Sequence, residues 1–193
     1  MRVTPEPDSA LLIVDVQNDF CPGGALAVAG GDEVVPVLNA YAEAFVAAGC
    51  LVVADRDYHP SRTTHFAQFG GAWPAHCIQG TPGAEYHPDL KLPRETVHVL
   101  KGMGAEEDAY SVFQGRDPAG RLLGELLKER GVRRLYVGGL ATDYCVRHTV
   151  LDGLKAGFAV VVLEDACRGV NVQPGDADRA LSEMRAAGAI LAQ

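Results

Sequence analysis

The chain has no cluster of basic residues, no long apolar run and no paired-cysteine motif, and each absence closes off a class of function. Lys and Arg number 17 against 25 Asp and Glu, for a formal charge of -8. Phosphate backbones and anionic membranes are poor partners for such a surface, so neither nucleic-acid nor membrane binding is expected. No apolar segment approaches the roughly 20 residues needed to span a bilayer. The start, Met-Arg-Val-Thr-Pro-Glu-Pro-Asp, lacks the basic region and apolar run of a secretory signal, which predicts a cytoplasmic protein. The five cysteines, at 21, 50, 77, 145 and 167, are odd in number and form no CxxC pair. That argues against a disulfide framework and a structural zinc knuckle, and leaves at least one thiol free. Neither GxGxxG after the first apolar run nor a Walker P-loop is present, which speaks against a nucleotide-binding regulator. Internal repeats and low-complexity tracts are also missing.

What is present fits one domain, 1–193, with residues 1–9 as a loose leader. Ala10 to Val16 is a short continuous apolar run, typical of a strand buried on both faces. Residues 32–48 carry helical spacing, with Asp32 as a candidate N-cap and Gly49 as a stop. Strands are predicted at 50–54, 96–100, 134–137, 159–163 and 189–192. Helices are predicted at 119–130, 142–156 and 176–187. Strand–helix alternation predicts an α/β fold, a three-layer α/β/α sandwich around a central, mostly parallel sheet. In such sheets the active site lies beyond the carboxyl ends of the strands. Residues 57–95, rich in Pro, Gly, His and aromatics, have no clear period, and an irregular stretch of that length usually has a function.

That rule selects three sets of residues. Asp15 sits in the first apolar run, where an unpaired carboxylate costs several kcal/mol; the plainer alternative is an Asp that caps a neighbouring loop. Lys101 follows the strand ending at Leu100 and should lie near Asp15 across the sheet, although a lysine at a strand end often faces solvent. Cys145 follows Gly138-Gly139 at the start of a predicted helix. There the helix dipole favours thiolate, and free backbone N–H groups can hold an oxyanion. Its alternative is a buried cysteine acting as a small hydrophobe. Cys50 and Cys167 read as core, Cys21 and Cys77 as loop residues that can border a site. Asp57, His59, His65 and His76 supply nitrogen and oxygen donors suited to zinc, iron or manganese; the alternative is loop histidines that cap turns or face water. His87 and His98 read as structural and His148 as a helix-surface residue.

Together these residues resemble the nicotinamidase/pyrazinamidase family of the isochorismatase-like cysteine hydrolases. The likeness runs in unbroken order from about residue 10. It rests on Ile13-Val14-Asp15-Val16-Gln17-Asn18-Asp19-Phe20-Cys21-Pro22-Gly23-Gly24, Asp57-Tyr58-His59-Pro60, His65-Phe66 and Trp73-Pro74-Ala75-His76-Cys77. It continues through Gly80-Thr81-Pro82-Gly83-Ala84 and Lys101-Gly102 to Gly139-Leu140-Ala141-Thr142-Asp143-Tyr144-Cys145-Val146. Asp15, Lys101 and Cys145 resemble the catalytic set of the whole superfamily, whereas Asp57, His59, His65 and His76 resemble the narrower metal site of nicotinamidases.

The resemblance implies an isochorismatase-like fold. It implies hydrolysis of nicotinamide to nicotinate and ammonia, and of pyrazinamide to pyrazinoate, through a cysteine thioester in NAD salvage. One divalent metal ion (Zn, Fe or Mn) would bind the pyridine nitrogen, and no organic cofactor is expected. Backbone N–H groups of Ala141 and Cys145 would form the oxyanion hole, with a cis peptide between Leu140 and Ala141. Phe20, Trp73, Leu140 and Ala141 would border the substrate, a small molecule; a homo-oligomer is compatible with this reading. The sequence departs from the pattern at Tyr144, where some relatives carry His, at Tyr58, where many carry Trp or Phe, and in an acidic run, Glu106-Glu107-Asp108. The alternative is another cysteine amidase or hydrolase of the superfamily, acting on a carbamoyl compound or on isochorismate.

Overall fold

A computed structural model describes residues 3–193. Six strands form one sheet in the order β3-β2-β1-β4-β5-β6: β1 (Ser9–Val14), β2 (Leu51–Asp57), β3 (Val97–Lys101), β4 (Arg134–Leu140), β5 (Ala159–Arg168) and β6 (Ile190–Ala192). Every pairing is parallel. The order reverses between β1 and β4, which marks the switch point where such sheets bind ligands.

Parallel strands are covered on both faces, and the apolar side chains of β1 show it. Leu11 and Ile13 pack with Val34, Leu38 and Phe45 of helix α1 (Val34–Ala47). Ala10, Leu12 and Val14 point the other way. They join Leu123 and Leu127 of α2 (Leu123–Glu129), Val150 of α3 (Arg147–Lys155) and Met184 of α4 (Asp176–Ala186). Successive side chains of a strand alternate between faces, so one apolar run serves both layers. Among the described residues no helix is long and apolar enough to cross a membrane.

Several boundaries differ from the sequence-based expectation. Of the leader, residues 1–2 lie outside the described residues, while Glu6 and Asp8 are tied to the sheet: Glu6 pairs with Arg134 at 2.8 Å, and Asp8 O accepts the N–H of Arg133. The strand expected to end at Ala54 continues to Asp57, paired with β3 in register. The helix expected from 119 starts at Leu123, because Asp117 Oδ1 takes the N–H groups of Ala119 and Arg121 (2.9 Å each) into a turn. The helix expected over 142–156 is divided. Thr142–Val146 is a wide π turn, in which Val146 N–H reaches back five residues to Ala141 O, and α3 begins only at Arg147. β5 runs on to Arg168 past a register shift opposite Val137 and Gly139.

Candidate active site

Asp15 is the first residue beyond β1, and its φ of 48° turns the chain out of the strand. The apolar run 10–16 predicts a strand through Asp15, but the strand ends at Val14. Lys101 ends β3 in register with Asp57 at the end of β2. Cys145 stands in the π turn that follows β4, past the cis peptide between Leu140 and Ala141. Parallel strands in register bring their ends together, so these residues converge although they are far apart along the chain. Gly139 permits the approach of β4 to β1, since a Cβ there would collide with the Val14 backbone.

Lys101 is the hub. Its Nζ donates to both oxygens of Asp15 at 2.8 Å and to Asp57 Oδ1, and lies 3.9 Å from Cys145 Sγ. Asp15, Asp57 and Cys145 each offer a ligating atom within 4.8 Å of the others. All four residues are buried. Burial disfavours the ammonium, but Asp15, Asp57 and Cys145 outweigh it and hold Lys101 well above the ordinary lysine range. Burial also opposes the charged form of Asp57, yet Lys101 and the His59 ring hold its carboxyl well below the usual range. Asp15 goes the other way: burial, then Asp55 and Asp57, push it well up against the pull of Lys101. Burial likewise pushes the Cys145 thiol well up; Lys101 opposes this while Asp15 and Asp57 add to it. Cys145 precedes the regular helix, and the carboxylates beside it raise the cost of a second buried anion.

The three imidazoles form an adjoining group. One ring nitrogen from each of His59, His65 and His76 lies within 4.8 Å of the others. His59 Nε2 is 3.5 Å, and His76 Nε2 3.9 Å, from Asp57 Oδ2. The opposite nitrogens are committed: His59 Nδ1 meets Gly102 O at 3.1 Å and His76 Nδ1 meets Pro74 O at 2.7 Å. A carbonyl can only accept, so Nδ1 carries the proton and Nε2 presents its lone pair. His59 Nε2 is buried without a hydrogen-bond partner among the described residues. Burial, with His59 and His76 nearby, lowers His65 to about 4, and burial lowers His76 as well. His65 and His76, kept from protonation by burial, and His59 with its unpartnered Nε2 stand beside the Asp57 carboxylate, and imidazole and carboxylate donors of this kind are what a divalent metal binds. Gly102 matters here: its φ is +67°, and a Cβ would strike the His59 ring.

Between the two groups lies a pocket of about 30 Å³, lined by Cys145, Ala141, Asp57, Phe20, Trp73 and Tyr110 among others. A larger cavity of about 370 Å³ at the amino ends of the strands, bordered by Ser9, Cys50, Thr96 and Arg130, brings no such constellation together. Of the residues expected to border substrate, Phe20, Trp73 and Ala141 line the pocket beside Cys145, whereas Leu140 is fully buried in the core.

Sequence reasoning missed several participants. Asp55, fully buried, takes the N–H of Asp15 on Oδ1 at 3.1 Å and sets Oδ2 3.4 Å from Lys101 Nζ. Strand alternation puts it on the same side as Asp57, but a strand ended at Ala54 hid that relation. Tyr110 accepts a hydrogen bond from Trp73 Nε1 at 2.8 Å and stacks on His148, centroids 5.1 Å apart, so His148 is only partly a surface residue. Asp143 holds the segment after β5, accepting from Val170 N and Asn171 N at 2.9 and 2.7 Å. Asp19 takes the N–H groups of Cys77 and Ala25. All five cysteines are buried, and Cys21 and Cys77 pack in the core. His98 contacts Tyr86, and His87 receives the N–H of Asp89.

Known proteins resemble this chain over nearly its whole length. The nicotinamidase of Escherichia coli (strain K12) is 43% identical over 202 residues, covering 96% of this chain and 94% of that protein. The nicotinamidase/pyrazinamidase of Mycobacterium tuberculosis is 44% identical over 182 residues, covering 92% and 95%. The crystal structure of the pyrazinamidase of Pyrococcus horikoshii in complex with zinc superposes with a TM-score of 0.89 at 45% identity, covering 97% of this chain and 99% of that one. The isochorismatase-domain profile matches residues 9–193, and the chain belongs to the isochorismatase family.

Proposed function

We infer that this protein is a nicotinamidase, an amidohydrolase that converts nicotinamide to nicotinate and ammonia in NAD salvage, and that it acts on pyrazinamide in the same way. The observation that carries the reading is the contact of the two groups. Lys101 joins Asp15, Asp57 and Cys145, while Asp57 also borders the three imidazoles. A superfamily hydrolase needs only the first group; the second provides an anchor for a ring nitrogen.

Asp57, His59, His65 and His76 would hold a divalent ion (zinc, iron or manganese), and the orphaned His59 Nε2 supports that fit. Charge supports it too, since three buried carboxylates face a single ammonium and a divalent cation offsets the excess. When bound, the ion supplies a Lewis-acidic site for the pyridine nitrogen.

The chemistry falls to the chain's own groups. Asp15, its basicity raised by burial, takes the proton of Cys145 as Sγ attacks the carboxamide carbon. That transfer moves charge within the site without adding any, which suits a dry pocket. Lys101 stays cationic and faces both the thiolate and the carboxylates. The N–H groups of Ala141 and Cys145 would receive the oxyanion. As it collapses the C–N bond breaks, Asp15 returns the proton to the departing ammonia, and a thioester remains. Water, deprotonated by Asp15, then attacks the thioester carbon. The C–S bond breaks, Asp15 returns the proton to Sγ, and the carboxylic acid leaves. Phe20 and Trp73 would flank the ring.

The test is ammonia release from nicotinamide, pyrazinamide and a carbamoyl amino acid, and pyruvate release from isochorismate, before and after chelation. Turnover of the two pyridine-type amides that is lost on chelation and regained with zinc, iron or manganese is expected. Turnover of a carbamoyl compound or isochorismate in their place would refute the reading.

A further inference from the structure

We propose that Asp55 is a positioning residue for Asp15 and Lys101; the proposal rests on the nicotinamidase reading for its assay. Asp55 lies within β2, fully buried, one turn of the pleat before Asp57. Its two oxygens do separate work. Oδ1 accepts the backbone N–H of Asp15 at 3.1 Å, and Oδ2 lies 3.4 Å from Lys101 Nζ. The first contact matters because Asp15 has left the strand. Its φ of 48° is rare for a residue with a side chain, and beyond Ile13 the β1–β2 ladder no longer pairs residues. The Asp55 carboxylate replaces the missing ladder partner. It fixes the backbone from which the Asp15 side chain reaches Lys101. The second contact gives Lys101 an anionic neighbour besides Asp15 and Asp57, so the ammonium is held from three directions.

A buried carboxylate with one oxygen free of hydrogen bonds is costly for folding. Apolar packing at this position of β2 would serve the sheet better, which points to a role in the site. No atom of Asp55 lines the pocket, so it acts through its neighbours and not on substrate.

The experiment uses the zinc-loaded full chain with nicotinamide as substrate and three variants. D55A and D55L both remove the acceptor, and leucine keeps the volume filled, so one of them folds if cavity formation defeats the other. D55N keeps an oxygen for the Asp15 N–H. The expected result is a fall in kcat of about 30-fold or more in D55A and D55L, since a misplaced catalytic group costs up to about 100-fold. KM and zinc content should stay within about threefold, and D55N should recover most of the lost kcat. A kcat within threefold of wild type in D55A or D55L overturns the proposal, as does D55N behaving like D55A. If wild type itself releases no ammonia from nicotinamide, the functional reading fails instead, and the two failures are told apart by that control.

Discussion

The thiol–carboxylate–ammonium group and the imidazole cage meet at Asp57, yet different physics builds them. Asp15, Lys101 and the turn carrying Cys145 project from the ends of neighbouring parallel strands, and ladder register sets their relative positions. The cage hangs on a segment with only isolated bridges, His59 to Ile78 and Phe66 to Trp73. Its shape depends on local ties: Cys77 O receives the N–H of His59, and Asp19 Oδ2 receives the N–H of Cys77 at 2.7 Å. A Cβ on Gly83 would collide with that Asp19 carboxylate, so a glycine also keeps the tether in place. The sheet half should therefore survive loss of a side chain with its geometry intact. The loop half should depend on its ligands.

The most severe break falls on the sheet half. Cys145→Ala should lower kcat by roughly 10⁴-fold or more, as loss of a nucleophile does in hydrolases of this kind. Metal content, read by elemental analysis, should equal that of wild type, and nicotinamide should still bind by calorimetry. Appreciable turnover would remove Cys145 as nucleophile, and loss of metal would erase the division between the halves. The next break falls on the cage. His59→Ala removes the most deeply enclosed ring, and metal affinity should fall by more than the ~10–100-fold typical of lost outer partners. KM should rise with it. A full complement of metal in this variant would dismantle the proposed ligand set.

That division also explains what the sequence could disclose. The apolar runs of β1, β4 and β5 declare themselves because both faces of a parallel sheet are buried, and the chemistry-bearing residues just past such runs follow from that rule. Asp55 stayed hidden since β2 ends in Asp-Arg-Asp, a charged triplet that apolar periodicity reads as loop. Tertiary contacts with β3 extend the strand through it. The division of the helix at Cys145 was illegible for a similar reason: Thr142 to Val146 has acceptable helical composition, and only the bond from Val146 N–H to Ala141 O widens the turn. The resemblance implies that Leu140 borders substrate, but its side chain points into the core beside Gly31. Tyr110 falls between the predicted strand 96–100 and the predicted helix 119–130, where nothing marks a residue whose partner, Trp73, is 37 positions away.

The smallest expected effect separates the halves by proton linkage in the metal-free protein. His65, held near 4 in the fold, has an ordinary value near 6.5 when the chain is unfolded. Below about pH 6.5 the unfolded state takes up a proton that the folded state refuses, so this residue's contribution to stability falls as pH drops toward 4. Burial gives His76 the same sign. Asp15 and Asp55 have the opposite sign: their raised values mean the folded state binds protons more readily, so their contribution grows as pH falls. A single stability curve therefore mixes the two halves, and the informative quantity is the difference between wild type and His65→Gln. Between pH 7 and 5 the urea midpoint of the apo-protein should fall further in wild type than in the variant. The gap should be on the order of a few tenths of a molar. Zinc should enlarge it, since protons and metal compete for the same lone pairs. Parallel curves for the two proteins would show that His65 stays solvated and is no part of a dehydrated cage.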